Sequence, residues 1–92
     1  MTLTEQLIEL IENKSIEDED INAASWFMLD AMANIAAGRN TDQGRILSRW
    51  FLEEPPDTSR KVLWVGSLMH ILEMDDLHRQ SVVHPGCVVI PT

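Results

Sequence analysis

Apolar residues recur at helical spacing along most of this chain. In the first segment they lie three and four positions apart, and acidic side chains fill the other faces. Thr2 and Glu5 stand three positions apart in the order of a capping box, which predicts a helix start. We expect this first helix to end near Asn13. Its apolar face consists of Leu3, Leu7, Ile8 and Ile11.

The second predicted helix begins near Ser15 or Asp18 and runs to Ala37. The consecutive acids 17–20 lie in its first turns, where the helix dipole stabilises negative charge. Gly38 stands where a glycine would end the helix. Beyond the acids the segment is apolar on most sides, so we expect it to be central and buried. Its main stripe consists of Ile21, Ala24, Met28, Met32 and Ile35.

The third predicted helix runs from Thr41 or Asp42 to Leu52, and the prolines 55–56 end the segment. Its predicted solvent-exposed face carries Arg45 and Arg49. Its predicted buried face consists of Ile46, Leu47, Trp50 and Phe51.

The fourth predicted helix begins after Asp57 or Thr58 and continues to about Met74. Gly66 and Ser67, two small residues in its middle, indicate the close approach of another helix or a ligand. Residues 77–87 read as a loop, and residues 88–90 as a short buried strand or the start of another helix. The pattern therefore predicts an all-α fold of about four helices.

Composition limits both the size and the partners of this fold. Ninety-two residues fit one small domain with a modest core, yet 45% of them are hydrophobic. Some apolar surface is therefore expected to face a partner, either another copy or a larger body from which this piece was cut. The net charge of −8 disfavours nucleic acid and anionic membranes as partners.

The lack of a recognisable targeting signal and the single cysteine favour a cytoplasmic protein. No apolar run reaches the roughly 20 residues that a membrane-spanning helix needs. The first residues lack the basic start and apolar run of a signal peptide. Cys87 is the single cysteine, which excludes an intrachain disulfide and suits a reducing compartment. It has no basic neighbour in sequence that would lower the pKa of its thiol, which favours a small buried residue over a nucleophile.

The chemistry of the chain is concentrated between residues 70 and 86. All three histidines fall in this segment, together with Glu73, Asp75 and Asp76. These carboxylates lie at the C-terminal end of the fourth predicted helix, where the helix dipole disfavours negative charge. Such departures from local rules often mark functional sites.

Spacing alone leaves several interpretations of this segment open. The acids are compatible with a solvated helix end, and the histidines with a pH-sensitive interface. His70, Asp76, His78 and His84 supply ligand types used by zinc and non-haem iron, although their spacing matches no specific signature. General acid–base catalysis by His84 with Glu73 or Asp76 is a third interpretation. A helical interaction module without catalysis is the alternative from another class.

The order of motifs resembles the MmgE/PrpD family. A small-residue helix leads to His70, the stretch Glu73-Met74-Asp75-Asp76 follows, and His84-Pro85-Gly86 precedes Val89-Ile90-Pro91. Upstream, residues 29–38 resemble the family's helix that runs from an aspartate to Ala-Gly. The family includes 2-methylcitrate dehydratase, cis-aconitate decarboxylase and iminodisuccinate epimerase. The resemblance implies that residues 1–92 are the N-terminal portion of a larger all-helical domain and are inactive alone.

The resemblance also implies a reaction and a set of site residues. The expected chemistry is proton abstraction next to a carboxylate of a small di- or tricarboxylic acid, without a metal or other cofactor. His84 matches a family active-site histidine and Glu73 an active-site aspartate. Asp76 is expected to orient the loop through backbone hydrogen bonds, and His78 and Arg79 to contact substrate carboxylates.

Two departures from the family pattern bear on the substrate. Glu73 is one methylene longer than the usual aspartate, and Leu77 stands where many members have threonine. Dehydratase, decarboxylase and epimerase therefore all stay open. The implied partners are the carboxylic-acid substrate and either a second copy or the remainder of a parent chain.

Overall fold

The computed structural model describes all 92 residues and is all-α, as the sequence predicts. A bridge between His78 and Val83 is its one element of β pairing. The five helices are α1 (Leu3–Asn13), α2 (Asp18–Arg39), α3 (Asp42–Leu52), α4 (Thr58–His70) and α5 (Gly86–Val89). None of them combines the length and apolar character that crossing a membrane requires.

Side-chain caps fix the helix starts close to the predicted positions. The Thr2 hydroxyl accepts a hydrogen bond from the Glu5 amide, and the Glu5 carboxylate accepts one from the Thr2 amide at 2.6 Å. The capping box predicted for α1 is therefore confirmed. Thr41 caps α3 and Asp57 caps α4 in the same way, each accepting from the amide three positions on.

The core lies where α2, α3 and α4 meet, with α5 against α2 and α4. Only 9 of the 92 residues are buried, so this core is small. The Phe51 ring of α3 stacks on the Trp64 ring of α4 with centroids 4.3 Å apart. The buried hydrophobic residues are Ala31, Phe51, Leu68 and Met69.

Two glycines allow the close packing of α2. Gly38 lies inside α2 rather than ending it, because the helix continues to Arg39. A Cβ at Gly38 would meet the Leu68 carbonyl of α4, and one at Gly44 of α3 would meet the Gly38 carbonyl. Gly38 is thus needed for contact between helices, which corrects the expectation that it stops α2.

The prediction that α2 is buried is wrong for most of its length. Only Ala31, Asn34 and Gly38 are buried in this helix. The helices α3, α4 and α5 cover one side of α2, and the chain has no further helix packed against the other sides. The exposed large apolar residues of α2 are Ile21, Trp26, Phe27, Met28, Leu29 and Met32. Ile46 of α3, also expected to be buried, is exposed.

Helix α1 extends away from the other four helices. It forms no packing contact with any of them, and none of its residues is buried. The radius of gyration is 15.6 Å, against about 12 Å for a compact domain of this length. An ion pair between Lys14 and Asp20, with an N–O distance of 2.6 Å, spans the connection from α1 to α2.

The last apolar segment forms a helix rather than a strand. Residues 86–89 make the single turn of α5, and Val88 and Val89 are exposed. The Cys87 carbonyl approaches Gly66 so closely that a Cβ at Gly66 would meet it. The close approach predicted for the middle of α4 is therefore confirmed, and α5 is the helix that makes it.

Candidate functional site

The candidate site begins where α4 ends. The predicted end near Met74 is wrong, because the helix stops at His70 and the chain then turns. Glu73 donates its amide to the His70 carbonyl at 2.8 Å and has a φ of 53°, a left-handed conformation incompatible with a continuing helix. Negative charge is disfavoured at the carbonyl end of a helix, and three carboxylates follow His70 here.

This turn brings Asp75, rather than Glu73, to the histidines. Asp75 Oδ1 lies 3.2 Å from His70 Nδ1 and 3.3 Å from His84 Nδ1. The two imidazole rings meet edge to face with centroids 4.6 Å apart. We call these three residues the His–Asp cluster, in which one carboxylate oxygen lies near both rings.

Burial within the His–Asp cluster is uneven. The Asp75 side chain is 0% exposed, whereas the side chains of His70 and His84 are 42% and 23% exposed. The groups within ion-pair range of the Asp75 carboxylate are these two imidazoles. The His84 Nδ1 atom is itself buried and has no hydrogen-bond partner, because its approach to Asp75 lacks hydrogen-bond geometry. One polar atom of the cluster is therefore unsatisfied.

Asp76 holds the loop that carries His84. Its Oδ2 atom accepts a hydrogen bond from the Gly86 amide at 3.1 Å. Gly86 is buried, and a Cβ at this position would meet the Asp76 carboxylate. The contact ties the start of α5 to the turn after α4. The neighbouring residues Asp75 and Asp76 thus contact the same short segment, Asp75 at His84 and Asp76 at Gly86.

The other candidate residues lie outside the His–Asp cluster. Glu73, His78 and Arg79 are exposed, and no hydrogen bond or ion pair joins them to His84. The Nδ1 atom of His78 lies 2.7 Å from the Ser81 hydroxyl, within the loop. Of the three predicted catalytic residues, the structure brings Asp76 close to the His84 segment and leaves Glu73 at the surface.

Two clefts border the His–Asp cluster. One, of about 470 Å³, is lined by the acidic residues Asp30, Asp75 and Asp76 and by four apolar residues of α2 and the turn. The other, of about 370 Å³, is lined by His70 and Cys87 among residues of α4 and α5. The first cleft carries only negative charge and attracts cations more readily than anions.

Cys87 is close to the cluster but is poorly suited to nucleophilic chemistry. Burial raises the pKa of its thiol, and the negative charges of Asp75 and Asp76 raise it further. The Sγ atom lies 3.1 Å from the His84 carbonyl oxygen, to which the thiol donates. A protonated thiol is a weak nucleophile and a weak metal ligand, so the cluster remains one of imidazole and carboxylate groups.

Asp75 has no role in the prediction from the sequence. That prediction continues α4 to about Met74 and pairs His84 with Glu73 or Asp76. The run of carboxylates after His70 was the signal for an earlier helix end. Comparison of the chain with protein families, curated proteins and solved structures finds no match in any of the three.

Proposed function

We propose that this chain is part of a cofactor-independent lyase or isomerase that acts on a small di- or tricarboxylic acid. The observation that carries the proposal is the position of the His84 ring, which lies against the buried carboxylate of Asp75 and is partly open to solvent. A carboxylate beside one ring nitrogen stabilises the positive charge that an imidazole gains when its other nitrogen takes up a proton. The MmgE/PrpD resemblance supplies the substrate class.

In the proposed reaction His84 is the proton-transfer group. Its free ring nitrogen removes the proton from the carbon next to a substrate carboxylate, and the electron pair remains on that carbon. Loss of a neighbouring hydroxyl with a proton then gives a double bond and water, whereas delivery of a proton to the opposite face by a second acid gives the epimer. In a decarboxylation, carbon dioxide leaves first and the electron pair receives the proton. Asp75 is a positioning residue in each case.

The remaining candidate residues serve binding and loop position in this proposal. Asp76 holds the His84 segment through the Gly86 amide. Glu73, His78 and Arg79 are proposed to meet the substrate at the exposed side of the loop. The acidic cleft does not attract a polycarboxylate, so further basic groups must come from a second copy or from the remainder of a parent chain. The exposed apolar side of α2 supports such a partner.

The proposal is tested on the complete gene product that contains this sequence. Proton exchange from solvent into 2-methylcitrate, cis-aconitate and iminodisuccinate is followed by NMR in deuterated water, together with product formation. We expect His84→Ala to lower the rate by roughly 10²- to 10⁴-fold, the range typical of general acid–base groups. Arg45→Ala, which removes an exposed ion pair with Asp42, is the control. An active protein whose rate His84→Ala leaves unchanged contradicts the role of His84.

A helical interaction module is the second candidate, favoured by the exposed apolar residues of α2 and by the unpacked α1. It predicts concentration-dependent self-association in sedimentation velocity and no turnover of the three acids. Charged substitution of Trp26 and Met32 then disrupts association without unfolding the chain. Turnover of any of the acids by the complete gene product excludes this alternative as the sole function.

A further inference from the structure

We propose that the His–Asp cluster binds a divalent transition-metal ion, with zinc the best match. The ligands are one nitrogen from each of His70 and His84 and one carboxylate oxygen of Asp75. This inference concerns the same three side chains as the proposed proton transfer but does not depend on it. A bound ion would block that transfer, because a neutral imidazole that binds metal through one nitrogen carries a proton on the other. It also differs from the ligand set that spacing suggested, since Asp75 replaces both Asp76 and His78.

The distances within the cluster suit such an ion. Zinc binds imidazole nitrogen and carboxylate oxygen at about 2.0–2.2 Å in tetrahedral geometry, which places neighbouring ligand atoms about 3.3 Å apart. The Oδ1 atom of Asp75 lies 3.2 Å from His70 Nδ1 and 3.3 Å from His84 Nδ1. The three potential ligand atoms lie within 4.8 Å of one another. Because this limit exceeds the tetrahedral spacing, the side chains must move closer together to close the set around one ion.

The His84 Nδ1 atom distinguishes a metal site from a purely hydrogen-bonded cluster. Both arrangements accommodate a nitrogen about 3 Å from an oxygen, so distance alone does not separate them. This nitrogen, however, is buried and has no hydrogen-bond partner. A buried nitrogen without a partner is costly, and a metal ion would use its lone pair. The unsatisfied nitrogen lies 3.3 Å from the Oδ1 atom of Asp75.

Charge favours a cation at this point as well. The Asp75 carboxylate is fully buried and has no lysine or arginine in ion-pair range. Asp30 and Asp76 line the same cleft and add negative charge. A divalent ion bound by two neutral imidazoles and one carboxylate offsets this charge. The partial exposure of the two histidines gives solvent and ions access to the cluster.

The test is a zinc titration of the 92-residue chain by isothermal calorimetry, without any substrate. We expect one equivalent of zinc to bind with a micromolar or lower Kd. Asp75→Asn and His84→Ala should each weaken binding by more than the roughly 10- to 100-fold typical of outer-sphere changes. His78→Ala is the matched control, because it removes a histidine of the same loop, and it should leave the Kd unchanged. Far-UV circular dichroism establishes that each variant is folded.

A spectroscopic measurement on the unmodified chain complements the variants. Cobalt in a four-coordinate site gives much stronger visible absorption than hexaaquo cobalt, and zinc should remove that absorption competitively. Absence of stoichiometric zinc binding overturns the proposal. So does binding that His78→Ala weakens as much as His84→Ala does. Because no substrate is present, a negative result leaves the proposed proton transfer standing, and inactivity of the complete protein leaves the metal site standing.

Discussion

The Asp76 carboxylate accepts a hydrogen bond from the backbone amide of Gly86, with an N–O distance of 3.1 Å, and thereby joins the turn after α4 to the start of α5. The intervening loop carries His84, so this single contact helps to determine where the imidazole lies. A hydrogen bond to a charged group contributes more to stability than one between neutral groups. The loop therefore depends on Asp76 even though Asp76 does not touch the ring of His84 through any hydrogen bond or ion pair.

Replacement of Asp76 should loosen this loop. We expect Asp76→Ala to lower the free energy of unfolding by about 1.5–3 kcal/mol, because the Gly86 amide loses a charged acceptor. Asp76→Asn keeps an acceptor oxygen and should cost less. Urea denaturation gives the stability, and hydrogen exchange reports on the Gly86 amide. Unchanged protection of that amide in Asp76→Ala would contradict the contact.

Gly66→Ala should destabilise the chain, although alanine normally favours a helix. A Cβ at Gly66 meets the Cys87 carbonyl, so α5 has to move away from α4. We expect a loss of about 1–3 kcal/mol, as for other overpacked sites. The control is Ala36→Gly at an exposed position of α2, which should cost about 1 kcal/mol through helix propensity alone. A Gly66→Ala variant that gains stability would disprove the close approach.

The Cys87 thiol should react slowly with iodoacetamide. Burial raises its pKa and the charges of Asp75 and Asp76 raise it further, so the reactive thiolate is scarce near pH 8. Because the folded-state pKa lies above the unfolded one, any stability linked to this thiol is present below the unfolded pKa and is lost as the pH rises through the folded pKa.

The alkylation rate measured against pH checks this prediction. The midpoint in the folded protein should lie above that of the urea-unfolded chain. Asp75→Asn removes one of the two negative charges and should move the midpoint down. A folded-state midpoint at or below the unfolded one would show that the thiol is not in the environment described.

Arg60 should be irreplaceable by lysine at the contact between α3 and α4. Its guanidinium donates to the carbonyl oxygens of Trp50 and Phe51 and lies 4.1 Å above the Trp50 ring. A lysine ammonium cannot reproduce this planar arrangement of donors and stacking. We expect Arg60→Lys to cost roughly 2 kcal/mol in urea denaturation. Arg49→Lys, at an exposed position of α3, should stay within about 0.5 kcal/mol of the unmodified chain.

Most helix boundaries were predictable because local chemistry determines them. Thr2, Thr41 and Asp57 are capping residues whose effect reaches only three positions along the chain, and each helix starts where these residues predict. The apolar spacing was sufficient for the helical class. Burial was less predictable, because it depends on how many helices surround each face, and α2 has neighbours on one side only.

The candidate site was only partly predictable for a related reason. The segment and two of its residues, His84 and Asp76, follow from the sequence. The pairing of His84 with Asp75 does not, because it depends on the left-handed turn at Glu73. The sequence predicts α4 to be about one turn too long, and this error assigns Glu73 to the histidines in place of Asp75. Site geometry beyond the last helical residue is set by the turn and the loop, which periodicity does not describe.

The separation of α1 from the other helices has a consequence for proteolysis. Residues 14–17 connect α1 to α2 outside any helix and are exposed, and Lys14 is a cleavage residue for trypsin. Brief digestion with trypsin should cleave after Lys14 and release residues 1–14 as a peptide. Residues 15–92 should remain folded, with their circular dichroism largely unchanged. Loss of α1 would then reduce the hydrodynamic size of the molecule without changing its core.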